Sequence, residues 1–331
     1  PIFLTKIGDR AFYGTPIDSF EVPSSVTTIG KSAFEQCTNL KTITYATYED
    51  PSTVLSEISD RAFYGSGLTG PLSLPSTVAT IGEYAFANCS KLGELTFEIA
   101  KSDSQTSSSL SEIKKGAFAN SSISGHLTIP LSITSIGESA FESTTNLDNL
   151  TFQKLYNANG KEKAVLLSTI GNRAFYGSGI TGSLTLYFSL VASGSSDPNV
   201  GDYAFANCER LAGPIEINKA RCGDYVFSNC RNLGETVFNE KYDCSASIIL
   251  RGGTTLGKYV VEGCTKFKGT VLIENGNIGD SSFEGYTSSP FSLLINPDSK
   301  NIFTIGDRAF YGSSIRGPLS LPKSVTKIGK D

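Results

Sequence analysis

Apolar and polar residues alternate in short stretches of this chain, and each stretch leads into a compact apolar cluster. In residues 68–89, Leu72 and Leu74 alternate with other residue types, which is the pattern of a half-buried β-strand. Pro75 ends this strand because proline has no N–H to donate to a neighbouring strand. We expect Ala85–Phe86 to form a short helical or 3₁₀ turn, with the phenylalanine ring in the core.

This unit is one of many copies. The sequence Ile-Gly-Asp-Arg-Ala-Phe-Tyr-Gly at 7–14 recurs almost unchanged at 58–65, 170–177 and 305–312. Looser copies are centred on Phe34, Phe86, Phe118, Phe141, Phe205, Phe227, Val261 and Phe283. Successive copies of the twelve lie 22 to 34 residues apart, a period typical of leucine-rich repeats. The glycine that follows the isoleucine in most copies predicts a tight or left-handed bend.

No single unit can bury its apolar side, so neighbouring units must stack to form a continuous core. We therefore predict a leucine-rich-repeat solenoid of the α/β horseshoe class, rich in β-strand and with short helical or 3₁₀ turns. About 12 stacked coils would form one elongated or curved domain over residues 1–331. The chain begins within a coil and stops within a motif, without polar caps, which predicts a window of a longer, processed protein.

One known family shares this unit. The residues that carry the likeness are Leu72, Leu74, Pro75, Val78, Ile81, Gly82, Ala85, Phe86 and Cys89. The unit resembles the BspA-like (Treponema pallidum-type) leucine-rich repeats, and the resemblance recurs from 1 to 331. That family comprises bacterial and protozoan surface proteins that bind host proteins or mediate attachment. The resemblance thus implies an extracellular or cell-surface location and a protein or glycan ligand.

Charge and hydropathy argue against nucleic-acid binding and against a membrane span in this segment. The formal net charge is −4, whereas nucleic-acid binding calls for a basic stripe. No stretch of 18 or more apolar residues occurs, so this segment contains no predicted membrane span. Any signal peptide would lie outside it.

The seven cysteines follow the repeat. Cys37, Cys89, Cys208, Cys230 and Cys264 each come three residues after the motif's large apolar residue, a place that serine or threonine takes in other copies. We expect a small, buried side chain that donates to a neighbouring carbonyl. Cys208, Cys230 and Cys264 would stack closely enough for a disulfide, but reduced thiols are the preferred interpretation. Without a Cys-x-x-Cys pair or a Cys/His cluster, we expect neither zinc nor another cofactor.

The outward positions of the strands form one candidate binding face. These positions are Thr42, Thr44, Ser73, Glu94, Thr96, Thr128, Asn149, Thr151, Thr185, Glu216 and Ser320. Such a hydroxyl-rich strip can hydrogen-bond a glycan or an extended protein surface. The alternative is that threonine is simply a good strand residue.

Polar insertions after alternate coils form a second candidate surface. They span 46–57, 98–112, 153–168, 188–199, 239–255 and 296–304. Loops on a rigid scaffold often carry recognition, and the candidate contacts are Tyr48, Tyr156 and Tyr242, with Ile248 and Ile249 also in an insertion. The alternative is tolerated drift, since long surface loops cost little entropy. Asn120 and Asn149 lie in glycosylation sequons.

Catalysis is not expected. The single histidine, His126, occupies a slot at the start of a strand, so no triad built on histidine is available. Asp9, Asp60 and Asp307 recur beside arginine, which predicts local ion pairs or turn caps. We interpret the chain as a non-enzymatic surface recognition or adhesion module. The alternative is a structural protein that self-associates into a filament or lattice through end-to-end or lateral contacts.

Overall fold

The computed structural model describes most of the chain. The described ranges are residues 3–46, 55–98, 108–153, 155–156, 162–164, 166–188, 199–241, 244–298 and 303–331. The chain divides into two compact units, Pro1–Leu167 and Ser168–Asp331. Each unit is described by itself.

The first unit is a stack of coils with two strand positions per coil. Its strands are β1 (Lys6–Ile7), β2 (Ser19–Val22), β3 (Thr28–Ile29), β4 (Thr42–Tyr45), β5 (Glu57–Ile58), β6 (Thr69–Leu74), β7 (Thr80–Ile81), β8 (Lys91–Phe97), β9 (Glu112–Ile113), β10 (Gly125–Ile129), β11 (Ser135–Ile136), β12 (Leu147–Phe152), β13 (Leu155–Tyr156) and β14 (Glu162–Ala164). The short odd-numbered strands from β1 to β11 pair in parallel, each through its motif isoleucine. The longer strands pair in parallel as β2–β4, β6–β8 and β10–β12, and β13 pairs antiparallel with β14.

The second unit repeats this design with a more continuous long sheet. Its strands are β15 (Thr169–Ile170), β16 (Gly182–Tyr187), β17 (Leu211–Asn218), β18 (Val237–Asn239), β19 (Cys244–Arg251), β20 (Thr254–Leu256), β21 (Gly269–Ile273), β22 (Gly276–Ile278), β23 (Phe291–Ile295), β24 (Phe303–Ile305) and β25 (Val325–Ile328). The long strands pair in parallel in the order β16-β17-β19-β21-β23, with β18 antiparallel to β19. A second sheet runs β20-β22-β24-β25.

The third side of each coil is the motif turn, and it is not a helix. The amide groups of Tyr84, Phe86 and Asn88 donate to carbonyls of the next coil, at 2.7 to 3.0 Å. The intervening amides of Ala85 and Ala87 donate to carbonyls three residues earlier in their own coil. The predicted helical or 3₁₀ turn was therefore wrong, because every second amide leaves the coil instead of winding a helix.

Two left-handed residues in each motif produce this alternation. Residues two before and two after the motif's large apolar residue have positive φ in all twelve copies, as at Tyr84 (55°) and Asn88 (59°). The later position is usually glycine or asparagine, which tolerate that conformation. The earlier one holds arginine, serine or tyrosine in eleven copies. A left-handed non-glycine residue costs about 1–2 kcal/mol, which the bonds to the next coil must offset.

The motif phenylalanines form the interior. In the first unit the rings of Phe34, Phe63, Phe86 and Phe118 stack at 5.1 to 5.3 Å with nearly parallel planes, and all are fully buried. In the second unit the row is interrupted by Val261. There the buried Phe267 packs 5.6 Å from Phe291 and 6.3 Å from Phe283. A nearby ring thus supplies the aromatic volume that the valine lacks.

The glycine after the motif isoleucine serves close packing and not a left-handed bend. Gly82 does not have positive φ, but a Cβ there would lie 2.3 Å from the Asp60 amide nitrogen of the preceding coil. A Cβ added at Gly30, Gly137, Gly223 or Gly306 would likewise lie 2.3 to 2.7 Å from an atom of the preceding coil. The left-handed part of that prediction was wrong.

Two stretches differ from the predicted boundaries. Much of the predicted insertion 239–255 is strand β19, and Ile248 and Ile249 are buried in the sheet rather than in a loop. Ser320 is exposed, but it lies outside any strand. The neighbouring Leu319 and Leu321 are 51% and 43% exposed.

Three glycine-to-alanine substitutions separate the effect of a left-handed backbone from the effect of close packing against the preceding coil. Gly285→Ala adds a Cβ in open space at φ +67°, so we expect a loss of about 1 kcal/mol in the free energy of unfolding. Gly82→Ala forces a backbone clash and should cost ~3 kcal/mol. Gly8 has open space and no positive φ, so Gly8→Ala is the control and should leave stability unchanged. Denaturant unfolding measures all three, and equal losses for all would contradict this account.

Candidate functional site

Apolar side chains fill the coil interior of the described residues, and the predicted binding-face residues lie on the outer surface. The interior row of phenylalanines is closed by buried isoleucine and leucine on the strand sides. Of the predicted outward residues, Thr42, Thr44, Glu94, Thr96, Thr128, Asn149 and Thr151 are exposed. Ser73, Thr185 and Glu216 are half-buried on the same face. The predicted outward direction of the ten strand residues is confirmed.

In the first unit, hydroxyl groups of neighbouring strands meet in register. Ser73 lies opposite Thr96, and Thr128 lies opposite Thr151. The Oγ1 atoms of Thr128 and Thr151 are 3.2 Å apart, and His126 Nε2 lies 2.8 Å from Thr151 Oγ1. We call His126, Thr128 and Thr151 the hydroxyl row. The histidine therefore supports a surface hydrogen-bond network, a role that its position in the repeat did not predict.

A small cavity of about 120 Å³ adjoins the hydroxyl row. Its polar lining comes from Thr96, His126, Thr128 and Gln153. Gln153 is already engaged, since its Oε1 accepts the Leu131 amide at 3.1 Å. The cavity can accommodate a single polar group of a ligand rather than a whole molecule.

The same face is different in the second unit. Thr185 and Glu216 are followed in register by Ile249 and Leu272, which are 4% and 0% exposed. With Ala246 they form a buried apolar cluster on the outward side of the sheet. The hydroxyl pattern therefore does not continue here, because β19 contributes apolar side chains to this face. The sequence analysis did not predict this, since it assigned that stretch to a loop.

Beside that cluster lies a charged network that the sequence pattern did not reveal. Arg251 reaches Glu216 at 3.3 Å and Glu274 at 3.0 Å. The Tyr187 hydroxyl donates to Glu216 at 2.7 Å. The alternation of Ala246, Ile248 and Leu250 was the signal that could have identified β19 and hence placed Arg251 on this face.

The other predicted site residues are only partly tested. Tyr48 and Tyr242 lie outside the described residues, and Tyr156 is known only as a backbone position in β13. The sequon residues Asn120 and Asn149 are both exposed. Their glycosylation and the contact role of the tyrosines stay predictions.

The repeated acids and arginines are structural. Oδ1 of Asp60 accepts the amide of Glu83 in the next coil at 2.9 Å, and Asp9 and Asp307 do the same for Lys31 and Lys330. This confirms the predicted turn caps. Arg61 and Arg308 each pair instead with a glutamate of the preceding coil. Arg308 donates Nε to Glu284 at 3.1 Å, and its guanidinium lies 4.0 Å from the Tyr311 ring centre.

Six of the seven cysteines are buried, Cys244 is half-buried, and none of the seven forms a disulfide. The thiols of Cys208, Cys230 and Cys264 donate to the phenylalanine carbonyl of the preceding coil at 3.0 to 3.1 Å. Where threonine takes this place, as at Thr144, the hydroxyl donates to its own coil's phenylalanine carbonyl. The predicted small, buried donor is confirmed. The longer reach of sulfur lets cysteine bridge two coils.

Two searches covered the part of the chain that the structure describes. There, no three histidine, cysteine or acidic side chains are grouped in a way that could hold a metal ion. The same part of the chain contains no helix long and apolar enough to cross a membrane.

Comparisons with known proteins agree with the repeat. The family model described as "BspA type Leucine rich repeat region (6 copies)" matches residues 5–107, 56–181, 164–249 and 199–331. The expected family is confirmed by these matches. A search of curated proteins found no match.

Three solved structures are similar to the chain. The pneumococcal vaccine antigen PcpA is 20% identical with a TM-score of 0.47, over 96% of this chain and 85% of that one. A leucine-rich repeat protein of Bacteroides ovatus is 21% identical with a TM-score of 0.49, over 93% and 80%. A leucine rich cell surface protein of Faecalibacterium prausnitzii is 20% identical with a TM-score of 0.40, over 99% and 83%.

Thiol labelling tests the buried cysteines. Burial raises the pKa of the Cys89 thiol to about 11 and that of Cys222 to about 12, so neither forms the reactive thiolate at neutral pH. In the native protein we expect no more than one of the seven thiols, Cys244, to react rapidly with a thiol reagent. All seven should react in denaturant without reductant. A denatured count of five would instead reveal a disulfide.

The Arg308–Glu284 pair predicts an acid titration. The hydrogen bond from Arg308 lowers the pKa of Glu284 from 4.5 to about 2. The pair should stabilise the fold above pH 4.5, and this stabilisation should be lost as pH falls through 2. In Arg308→Gln the pKa of Glu284 should return towards its ordinary value, as measured by carbon NMR of labelled glutamate. Arg316→Gln is the control, and an unchanged pKa in Arg308→Gln would contradict this assignment.

Proposed function

The chain belongs to the BspA-type leucine-rich-repeat family, and we propose that it is a non-enzymatic recognition module at the cell surface or outside the cell. Its partner is a protein or a glycan, which it binds through the outward strand face. The observation that supports this most directly is the hydroxyl row of the first unit, where a closed, rigid stack of coils holds polar groups in fixed register.

Preorganised hydroxyl groups suit recognition for a physical reason. A threonine hydroxyl both donates and accepts hydrogen bonds, so Thr128 and Thr151 can match either a sugar hydroxyl or a peptide group. Their separation of 3.2 Å is set by paired strands, and little side-chain entropy remains to be lost on binding. His126 adds a third polar atom to the same patch.

The composition of this face also bears on the strength of binding. Strong hot spots in protein interfaces favour tryptophan, tyrosine and arginine, and the predicted outward positions contain none of them. Single contacts with this face should therefore be weak. Adhesion would then depend on several contacts made at once, either along the coils or between many copies of the protein.

The insertions after alternate coils are proposed as additional contacts, through Tyr48, Tyr156 and Tyr242. Self-association remains the alternative function. Sedimentation velocity across a wide range of protein concentration distinguishes the two, since growth into long oligomers would favour assembly over recognition.

Charge placed on the hydroxyl row provides the test. The wild-type protein should bind members of a glycan array or an array of extracellular proteins, and Thr128→Lys/Thr151→Lys should weaken that binding about tenfold or more by steric and desolvation cost. Thr38→Lys/Thr145→Lys adds the same two charges at exposed positions outside the strands and should bind as wild type does. All variants should unfold at the same temperature. Equal binding by all of them would exclude the hydroxyl row as the recognition surface.

A further inference from the structure

The second unit contains an open groove at the corner that leads from the motif turn into the long sheet. It encloses about 840 Å³ and is lined by residues of four successive coils. The residues that carry the argument below are Arg210, Asn232, Glu235, Thr265, Lys266 and Lys268. We call this feature the corner groove.

The groove arises where the usual alternation of coils breaks down. In residues 58–97 a short corner, Ser66-Gly67-Leu68, is followed by a longer one, Cys89-Ser90-Lys91-Leu92. In the second unit the longer corner occurs three times in succession, after Cys208, Cys230 and Cys264. The polar residues two places after these cysteines, Arg210, Asn232 and Lys266, therefore lie in neighbouring coils along one line.

Backbone contacts keep the groove floor close to the sheet. The amides of Gly234 and Glu235 both donate to the Ala212 carbonyl, at 2.8 and 2.9 Å. A Cβ at Gly234 would lie 2.1 Å from the Lys266 carbonyl. The chain then leaves along β18, so the side chains of the neighbouring corners line an opening instead of packing against a following strand.

The groove is positively charged although the chain is acidic. Three cationic side chains and one acidic side chain line it, whereas the whole chain carries a net charge of −4. Lys266 Nζ donates to the neutral amide oxygen of Asn232 at 2.7 Å. Among the described residues, neither Lys266 nor Lys268 forms an ion pair. Both ammonium groups thus retain the capacity to bind an anion.

The rest of the lining indicates the kind of anion. Asn232, Thr236, Thr265 and Ser289 supply hydroxyl and amide groups, which donate to and accept from sugar hydroxyls. The apolar lining consists only of Ala212 and Gly234, so no pocket holds the large apolar anchor that protein partners commonly use. The lining comes from four successive coils, about 15 Å at the usual strand spacing, which suits a polymer rather than a single sugar.

We propose that the corner groove binds an acidic polysaccharide, whose carboxylate or sulfate groups pair with Lys266 and Lys268 and whose hydroxyl groups bind the amide and hydroxyl lining. This inference rests on the proposed function in one respect: both assume that the protein binds a ligand rather than catalysing a reaction. The groove shares no residue with the hydroxyl row, so the two surfaces can be tested separately.

The repeat provides a matched control for the two lysines. Lys91 follows Cys89 by two residues, as Lys266 follows Cys264, and Lys41 follows Cys37 by four residues, as Lys268 follows Cys264. Lys41→Gln/Lys91→Gln therefore removes the same two charges at the same repeat positions of the first unit. Comparison with Lys266→Gln/Lys268→Gln separates the effect of the groove from that of net charge.

Calorimetric titration at low ionic strength uses heparin as a sulfated probe, polygalacturonate as a carboxylated probe and dextran as a neutral control. We expect wild type to bind at least one acidic polymer and not dextran. Lys266→Gln/Lys268→Gln should weaken this binding about tenfold or more, and Lys41→Gln/Lys91→Gln should leave it within about twofold. Binding should weaken with added salt. Thermal unfolding of each variant checks that the fold is kept.

Several outcomes would overturn the inference. These are an equal loss in both lysine pairs, equal binding of dextran, no binding of either acidic polymer, or tighter binding of poly-L-glutamate than of the polysaccharides. Loss of polysaccharide binding in Thr128→Lys/Thr151→Lys but not in Lys266→Gln/Lys268→Gln would assign the ligand to the hydroxyl row. That result would contradict the groove and support the proposed function, whereas the reverse result would support the groove.

Discussion

The structure depends on the division of backbone hydrogen bonds in the motif turn. Alternate amides bind the next coil, and the amides between them close the turn within their own coil, as at Tyr84 and Ala85. This division requires a left-handed residue on each side of the buried ring. Each coil is thereby fixed to its neighbour at the motif, so the phenylalanine row and the short strands keep their register whatever the length of chain between motifs.

At the earlier left-handed position of the motif, contacts between side chains of neighbouring coils can offset the cost of the backbone conformation. In the second unit, Tyr203, Tyr225 and Tyr259 take this position in successive coils, and their rings stack at 4.8 and 5.1 Å. Such aromatic pairs contribute about 0.5–1.5 kcal/mol each, which is similar in size to the left-handed cost of about 1–2 kcal/mol per residue. In this stack, contacts between the tyrosine rings therefore offset part of the left-handed cost.

The sequence predicted what the motif itself determines. The repeat, the buried rings, the small donor at Cys208 and the outward direction of Thr128 all follow from residue types that recur at fixed places. The conformation at Tyr84 could not be predicted, because tyrosine disfavours positive φ and only the bonds to the next coil impose it. The network around Arg251 was missed for another reason: a charged residue that ends an apolar strand was attributed to an insertion.

Surface function in such a repeat follows from departures from regularity. Regular alternation of short and long corners separates polar corner residues by an intervening coil, as with Lys91 in the first unit. Three long corners in succession bring Arg210, Asn232 and Lys266 together, without any change in the buried motif. Because the coils are held by their turns, the corners are free to vary in sequence at little cost to stability. The order of coils with short and long corners can thus create a binding surface without any change in the buried interior.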